Sequence, residues 1–147
     1  MFSQKRKLLV VIKKRQKIID KVKHSLLQEE NVVFGYIFGS FLNAPTFRDI
    51  DIGVYIKNNF KNQKDVFNHE LNLSKKIGNA CGLSFDVFEV KILNSAPSLF
   101  LNSIFKNGRL LFSKDNKVLS NLIENSSLDA IANEHIAYQS LKELIPA

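Results

Sequence analysis

Residues 49–56, Asp-Ile-Asp-Ile-Gly-Val-Tyr-Ile, alternate without a break. Successive side chains of a β-strand point to opposite faces. Ile50, Ile52, Val54 and Ile56 therefore share one apolar face, and Asp49, Asp51, Gly53 and Tyr55 share the other. Such a strand lays its apolar face on a core and holds two carboxylates side by side on the opposite face. An unneutralised pair at that spacing repels. A divalent cation removes the repulsion. Hard oxygen ligands suit Mg2+, which commonly combines one or two carboxylates with substrate phosphates.

A second ingredient lies just upstream. Residues 32–38, Val-Val-Phe-Gly-Tyr-Ile-Phe, are rich in β-branched and aromatic side chains and predict a strand, which Gly39-Ser40 ends. Glycine lets the backbone approach a phosphate closely and aim its N–H groups at oxygens. Residues 41–48 predict a short helical turn and a loop broken by Pro45, and a helix starting there would add its dipole. Ser40 supplies a hydroxyl for a phosphate, for a helix cap, or for both. Metal and turn would then grip one triphosphate from two sides, and phosphoryl-type transfer asks little more of a protein than positioning and charge neutralisation.

The rest of the chain supplies a scaffold. A long amphipathic helix is predicted over 4–28, from Leu8, Val11, Ile12, Ile18, Ile19, Val22 and Leu26 at helical spacing. A helix over about 63–80 and a third strand over 84–90 follow. Pro97 and Gly108 bracket another helix, Leu110 to Phe112 is extended, and two helices fill 115–125 and 127–145. The expectation is an α+β (or α/β) fold: one domain over 1–147, with a small mixed sheet flanked by an N-terminal helix and C-terminal helices. Its 45% hydrophobic residues, including 12 Phe, suffice for a core. A lone Cys81 excludes an intramolecular disulfide and fits a reducing cytoplasm. No stretch approaches the roughly 20 apolar residues of a membrane span. The net charge of +7 is concentrated at the start, where residues 1–30 hold nine Lys/Arg against three acids. A basic helix of this kind can face nucleic acid or an acidic partner. A plain solvated face is the favoured reading. His24, His69 and His135 show no metal-ligand spacing, and no Walker-type loop, zinc spacing or Ser/His/Asp set is present.

A third carboxylate is expected on a neighbouring strand, and Asp86 and Glu89 are the candidates. Three residues apart on a regular strand, they face opposite sides, so alternation admits one and does not say which.

Phe38-Gly39-Ser40 followed by Asp49-Ile50-Asp51 resembles the signature of the polymerase-β-like nucleotidyltransferase superfamily. The continuation, Phe85-Asp86-Val87, Ala96-Pro97 and Gly108-Arg109-Leu110-Leu111-Phe112, is similar to the minimal (MNT-type) nucleotidyltransferases often paired with HEPN-domain toxins. The likeness covers about residues 31–113. The spacer 41–48 is shorter than is usual there, and Arg48 stands where relatives often have Ser. The resemblance implies Asp86 as third carboxylate, with Asp49, Asp51 and Asp86 as catalytic and metal-binding residues. It implies nucleotide contacts from Gly39, Ser40 and Arg48, two Mg2+ ions, and AMP transfer from ATP to a hydroxyl. The acceptor would be a tyrosine of a HEPN toxin, and the chain its antitoxin. A binding module that neutralises a partner with weak or lost catalysis is the alternative. Self-association is left open.

Overall fold

A computed structural model describes the backbone of residues 2–44 and 49–144 and the side chains of 14–44 and 49–143. Pro45, Arg48 and the side chains of Leu8, Val11 and Ile12 lie outside them. In chain order the elements are α1 (Phe2–Leu27), β1 (Val32–Phe38), a 3-10 turn (Ser40–Leu42), β2 (Ile50–Ile56), α2 (Gln63–Cys81), a second 3-10 turn (Phe85–Val87), β3 (Phe88–Ile92), α3 (Ser98–Asn107), β4 (Arg109–Ser113) and α4 (Asn116–Leu144). The sheet has strand order β3-β2-β1-β4. β1 runs antiparallel to β2 and β4, and β2 runs parallel to β3. Parallel neighbours need a crossover, which α2 supplies. Its first turn is capped by the Asn62 side chain, which accepts the Asp65 N–H at 2.9 Å. It stops at Gly82, whose φ of 67° is left-handed. The fold is the α+β arrangement with a mixed sheet that the sequence leads one to expect.

Helices cover both faces of the sheet. Ile50, Ile52, Val54 and Ile56 are fully buried against Ile18, Ile19, Val22 and Leu26 of α1 and Leu73 and Ile77 of α2. On the other face Phe34, Tyr36 and Leu93 pack with Leu101 and Ile104 of α3 and Leu119 of α4. The four β2 side chains together contribute about 6–12 kcal/mol of burial. A one-residue slip of β2 would forfeit this and drive Asp51 into the core. The apolar half of the strand thus fixes which way its carboxylates point. Gly53 serves packing: a Cβ there would lie 2.9 Å from Leu93 Cδ1, so its space is occupied by a leucine.

Three local expectations are corrected. The third strand spans Phe88–Ile92, and residues 85–87 form a 3-10 turn, so Asp86 precedes the strand. The two C-terminal helices are one, because Ser126 and Ser127 do not break it: the Ser126 hydroxyl is buried and donates back to the Ile123 carbonyl at 3.1 Å. Only a three-residue turn follows Gly39. A helix dipole builds over several aligned peptides, so it adds little there. Beyond Ala130, every described side chain of α4 from Ile131 to Glu143 is exposed. Among the described residues no helix is long and apolar enough to cross a membrane.

Candidate active site

The site is assembled by strand register. β1 ends with Phe38 opposite Asp51, and the parallel pairing of β2 with β3 sets Asp51 beside Glu89 and Gly53 beside Lys91. Paired residues on adjacent strands point to the same face, so Glu89 and Lys91 join the aspartate side. Immediately after β1 the chain turns. Phe41 is fully buried, which pulls the backbone into the core one residue past Ser40. The turn closes through N–H groups of Leu42, Asn43 and Ala44, which donate to the Gly39 and Ser40 carbonyls. The first N–H groups of such a turn have no partner within it. From α1, the Arg15 guanidinium donates to the Ala44 carbonyl and lies over the Phe41 ring, 5.6 Å from its centroid. One residue of the basic helix is thereby committed to holding the turn.

Gly39 is demanded twice over. Its φ of 81° and ψ of −165° belong to a region open essentially to glycine alone. A Cβ would also sit 2.3 Å from Asp51 Oδ2. The Asp51 carboxylate therefore packs directly against the glycine backbone, and the phosphate turn and the carboxylate form one constellation. Gly39 and Ser40 are exposed, so this wall faces solvent.

Asp51 is partly buried, and its carboxyl is pushed up to about 6. Burial is the largest cause. A hydrogen bond with the Glu89 carboxyl and the negative charges of Glu89 and Asp49 add to it, and Lys91 acts in the opposite sense. Asp51 thus feels the charges of two further carboxylates and one ammonium. Carboxylates that raise one another's affinity for a proton are relieved in the same way by a cation of higher charge. That donor set fits a hard divalent ion. Among the described residues no group of three or more His, Cys, Asp or Glu side chains is placed to hold a metal ion. An ion at Asp51 would draw most of its ligands from phosphate and water, as Mg2+ does.

The expected residues are placed unequally. Gly39, Ser40, Asp49 and Asp51 gather as anticipated, and Arg48 lies outside the described residues. Asp86 is exposed in the turn before β3, ahead of the first β2–β3 pair, Ile50 with Phe88. The structure brings Glu89, and not Asp86, to Asp51. The physical reason is the 3-10 turn, which cancels the alternation on which the choice rested. Asp86 and Glu89 instead line one depression of about 220 Å³, floored by Leu71 and Ser74 of α2 and flanked by Phe67 and Phe85. Lys91 is the residue that sequence reasoning missed. Its signal was there: in Phe88-Glu89-Val90-Lys91-Ile92 the two charged residues share one face.

Outside this molecule, the family model described as polymerase beta, nucleotidyltransferase, matches residues 20–117. No curated protein matches the sequence. Solved structures do resemble the fold. The chain is 16% identical to one in a complex of a tri-AMPylated Shewanella oneidensis HEPN toxin with MNT antitoxin, covering 90% of this chain and 99% of that one at a TM-score of 0.62. A toxin–antitoxin structure with AMP-PNP gives 16% identity over 87% and 98% of the two chains, at 0.63. The toxin–antitoxin MntA–HepT gives 15% over 90% and 97%, at 0.56. A shared fold, a family match over most of the chain, and carboxylates set beside a Gly-Ser turn agree: this chain belongs to the polymerase-β nucleotidyltransferase family.

Proposed function

We propose that the chain is a Mg2+-dependent adenylyltransferase that moves AMP from ATP to a hydroxyl and releases pyrophosphate. Its acceptor is a tyrosine of a HEPN toxin, and the chain is the antitoxin of that pair, acting in the cytoplasm where ATP is available. The observation that carries the reading is the packing of Asp51 between Gly39 and Glu89. One carboxylate there touches both the phosphate turn and the neighbouring acid. The solved structures of this fold that contain a tri-AMPylated toxin and AMP-PNP support the same direction.

Asp49 and Asp51, with Glu89 in the place first given to Asp86, would hold two Mg2+ ions. When bound, the ions neutralise the triphosphate and lower the cost of ionising the acceptor. Gly39 and Ser40 hold the β- and γ-phosphates through backbone N–H groups and a hydroxyl. The acceptor oxygen forms a bond to the α-phosphorus. The bond from that phosphorus to the oxygen bridging to the β-phosphate breaks, and pyrophosphate leaves with the electron pair. The acceptor proton passes to a Glu89 carboxylate oxygen. Lys91, on the same face, offsets the negative charge.

The test is the intact mass of a co-purified HEPN partner after incubation with this chain, ATP and Mg2+. The reading expects AMP additions that vanish with EDTA and in Asp51→Asn. A partner bound tightly but never modified would leave a non-catalytic binder.

A further inference from the structure

α1 carries more positive charge than the fold uses. Its 26 residues hold nine Lys/Arg against one acid, Asp20. The Asp20 carboxylate accepts from Gln16 Nε2 at 3.0 Å, and Arg15 is committed to the Ala44 carbonyl. Lys14, Lys17 and Lys21 stand at i, i+3 and i+7, which places them along one side of the helix. All three are exposed. Among the described residues none of the three forms an ion pair. Arg109, exposed at the start of β4, donates to Gln16 Oε1 at 3.4 Å and brings a further cation to the flank of α1.

The make-up of this row decides what it suits. A rise of about 1.5 Å per residue sets the three ammonium groups about 4.5 and 6 Å apart along the helix axis. Like charges one turn apart repel, and a face that served solubility alone would mix the two signs. Protein interfaces centre on aromatic and apolar side chains and are depleted in lysine. Among the described residues of α1, Leu27 is the one exposed large hydrophobic, and it lies past the row. Phosphate contacts, by contrast, are made by Lys and Arg and need no apolar centre. A stiff duplex would touch a convex helix over few phosphates, whereas a single strand bends to follow it. Residues 14–27 include no aromatic side chain on which a base could stack, so the row reads charge and not sequence.

We infer that the basic side of α1 is a docking surface for single-stranded RNA, held through its phosphates by Lys14, Lys17, Lys21 and Arg109. RNA is the single-stranded polyanion of the cytoplasm, where the proposed function sets the chain, and the inference rests on no other part of that reading. The cations that precede the row in sequence, Lys5, Arg6, Lys7 and Lys13, have the same sign. Binding of this kind is weak, with a Kd of about 10⁻⁶–10⁻⁴ M at physiological salt, and independent of sequence.

The experiment follows a labelled oligouridine of about 20 nucleotides by fluorescence anisotropy, from about 50 to about 200 mM salt. No ATP or Mg2+ is added, so the result is independent of catalysis. Combining Lys14→Gln, Lys17→Gln and Lys21→Gln is expected to weaken binding at least tenfold at the low-salt end. The slope of log K against log salt should become shallower by about 2, about 0.7 for each lost phosphate contact. Combining Lys57→Gln, Lys61→Gln and Lys64→Gln removes the same charge from exposed positions outside α1 and is expected to leave affinity within about twofold. Thermal melts confirm that both variants fold, and Lys17→Gln alone should lower the slope by about 0.7. Equal losses in the two triple variants would overturn the inference, because net charge alone would then hold the strand. No binding by the wild-type chain at about 50 mM salt, or tighter binding of a duplex of equal length, would overturn it too. Displacement of the RNA by polyglutamate of equal length, at equal or lower concentration, would overturn it in favour of an acidic protein.

Discussion

Replacing Gly39 with alanine tests the constellation at its tightest point. The added Cβ would lie 2.3 Å from Asp51 Oδ2. An ordinary carbon–oxygen contact is about 3.4 Å, so the carboxylate must retreat by about 1 Å or the turn must open. Alanine is also forced into a φ of 81°, a conformation that costs about 1–3 kcal/mol for a residue with a side chain. Stability should therefore drop by about 2 kcal/mol, a fall of roughly 4–8 °C in Tm for a chain of this length. The site should suffer more. Displacing a catalytic group by about 1 Å can cost roughly a hundredfold in rate. Denaturant unfolding gives the first quantity and single-turnover AMP transfer the second. Asp51→Ala removes the clash and leaves the backbone strain. In that background Gly39→Ala should cost less, with a coupling of about 0.5–3 kcal/mol between the two positions. Full additivity of the two substitutions, or wild-type transfer by Gly39→Ala, would refute the claim that glycine exists there to admit the carboxylate.

Three further outcomes are expected. Glu89→Gln should cut transfer by about 10²–10⁴-fold and hold ATP within about tenfold, roughly 1.4 kcal/mol, whereas Asp86→Asn should transfer within a few-fold of wild type. The reverse order in the same assay restores Asp86 as the third carboxylate. Divalent-metal affinity, followed by calorimetry, should fall about tenfold per pH unit below about 6, because the raised Asp51 carboxyl must give up its proton to the ion. The sign is opposite for the metal-free fold: a carboxyl raised above its unfolded value stabilises most at low pH, and that contribution is lost as pH rises through about 6. Finally, Arg15→Gln should destabilise the fold by about 1.5–3 kcal/mol through loss of its bond to the Ala44 carbonyl, while Lys14→Gln and Lys17→Gln, on exposed positions, should stay within about 0.5 kcal/mol of wild type in urea melts.

What could be read from the sequence was governed by range. β2 was legible because its alternation is local and unbroken, and the burial of its four aliphatic residues enforces what the pattern states. The Gly39-Ser40 turn was legible for the same reason. β3 was misplaced because two phases overlap there. Phe85 and Val87 are in one phase, Phe88 and Val90 in the other, and the break between them marks the 3-10 turn. A reader who follows the phase from Phe88 onward finds Glu89 and Lys91 on one face at once. What no local pattern carries is which residue of β3 stands beside Asp51. That depends on the crossover through α2 and on its grip on the edge of β3, where Ser74 donates to the Phe88 carbonyl and Glu70 accepts the Ile92 N–H.

That grip ties the scaffold to the chemistry. Among the described residues β3 is an edge strand with β2 alone beside it, so no sheet pairing on its outer side would prevent a shift. The two α2 contacts bracket Glu89 and Lys91, one on the carbonyl before Glu89 and one on the N–H after Lys91. The Ser74 hydroxyl is shared with the Glu70 carbonyl, so it is held by its own helix while it holds the strand. A shift of one residue would carry Glu89 to the α2 face and put Phe88 or Val90 beside Asp51. The Asp51 carboxyl would then face a hydrocarbon, and no cation could be bound by both acids. Ser74→Ala should therefore lower metal affinity although Ser74 touches no ligand. Because the Ile92 bond to Glu70 persists, the loss should be partial, and Ser74→Thr, which restores the hydroxyl, should recover it. If metal affinity in Ser74→Ala equals that of wild type, β2 alone sets the register, and the edge contacts are packing without consequence for the site.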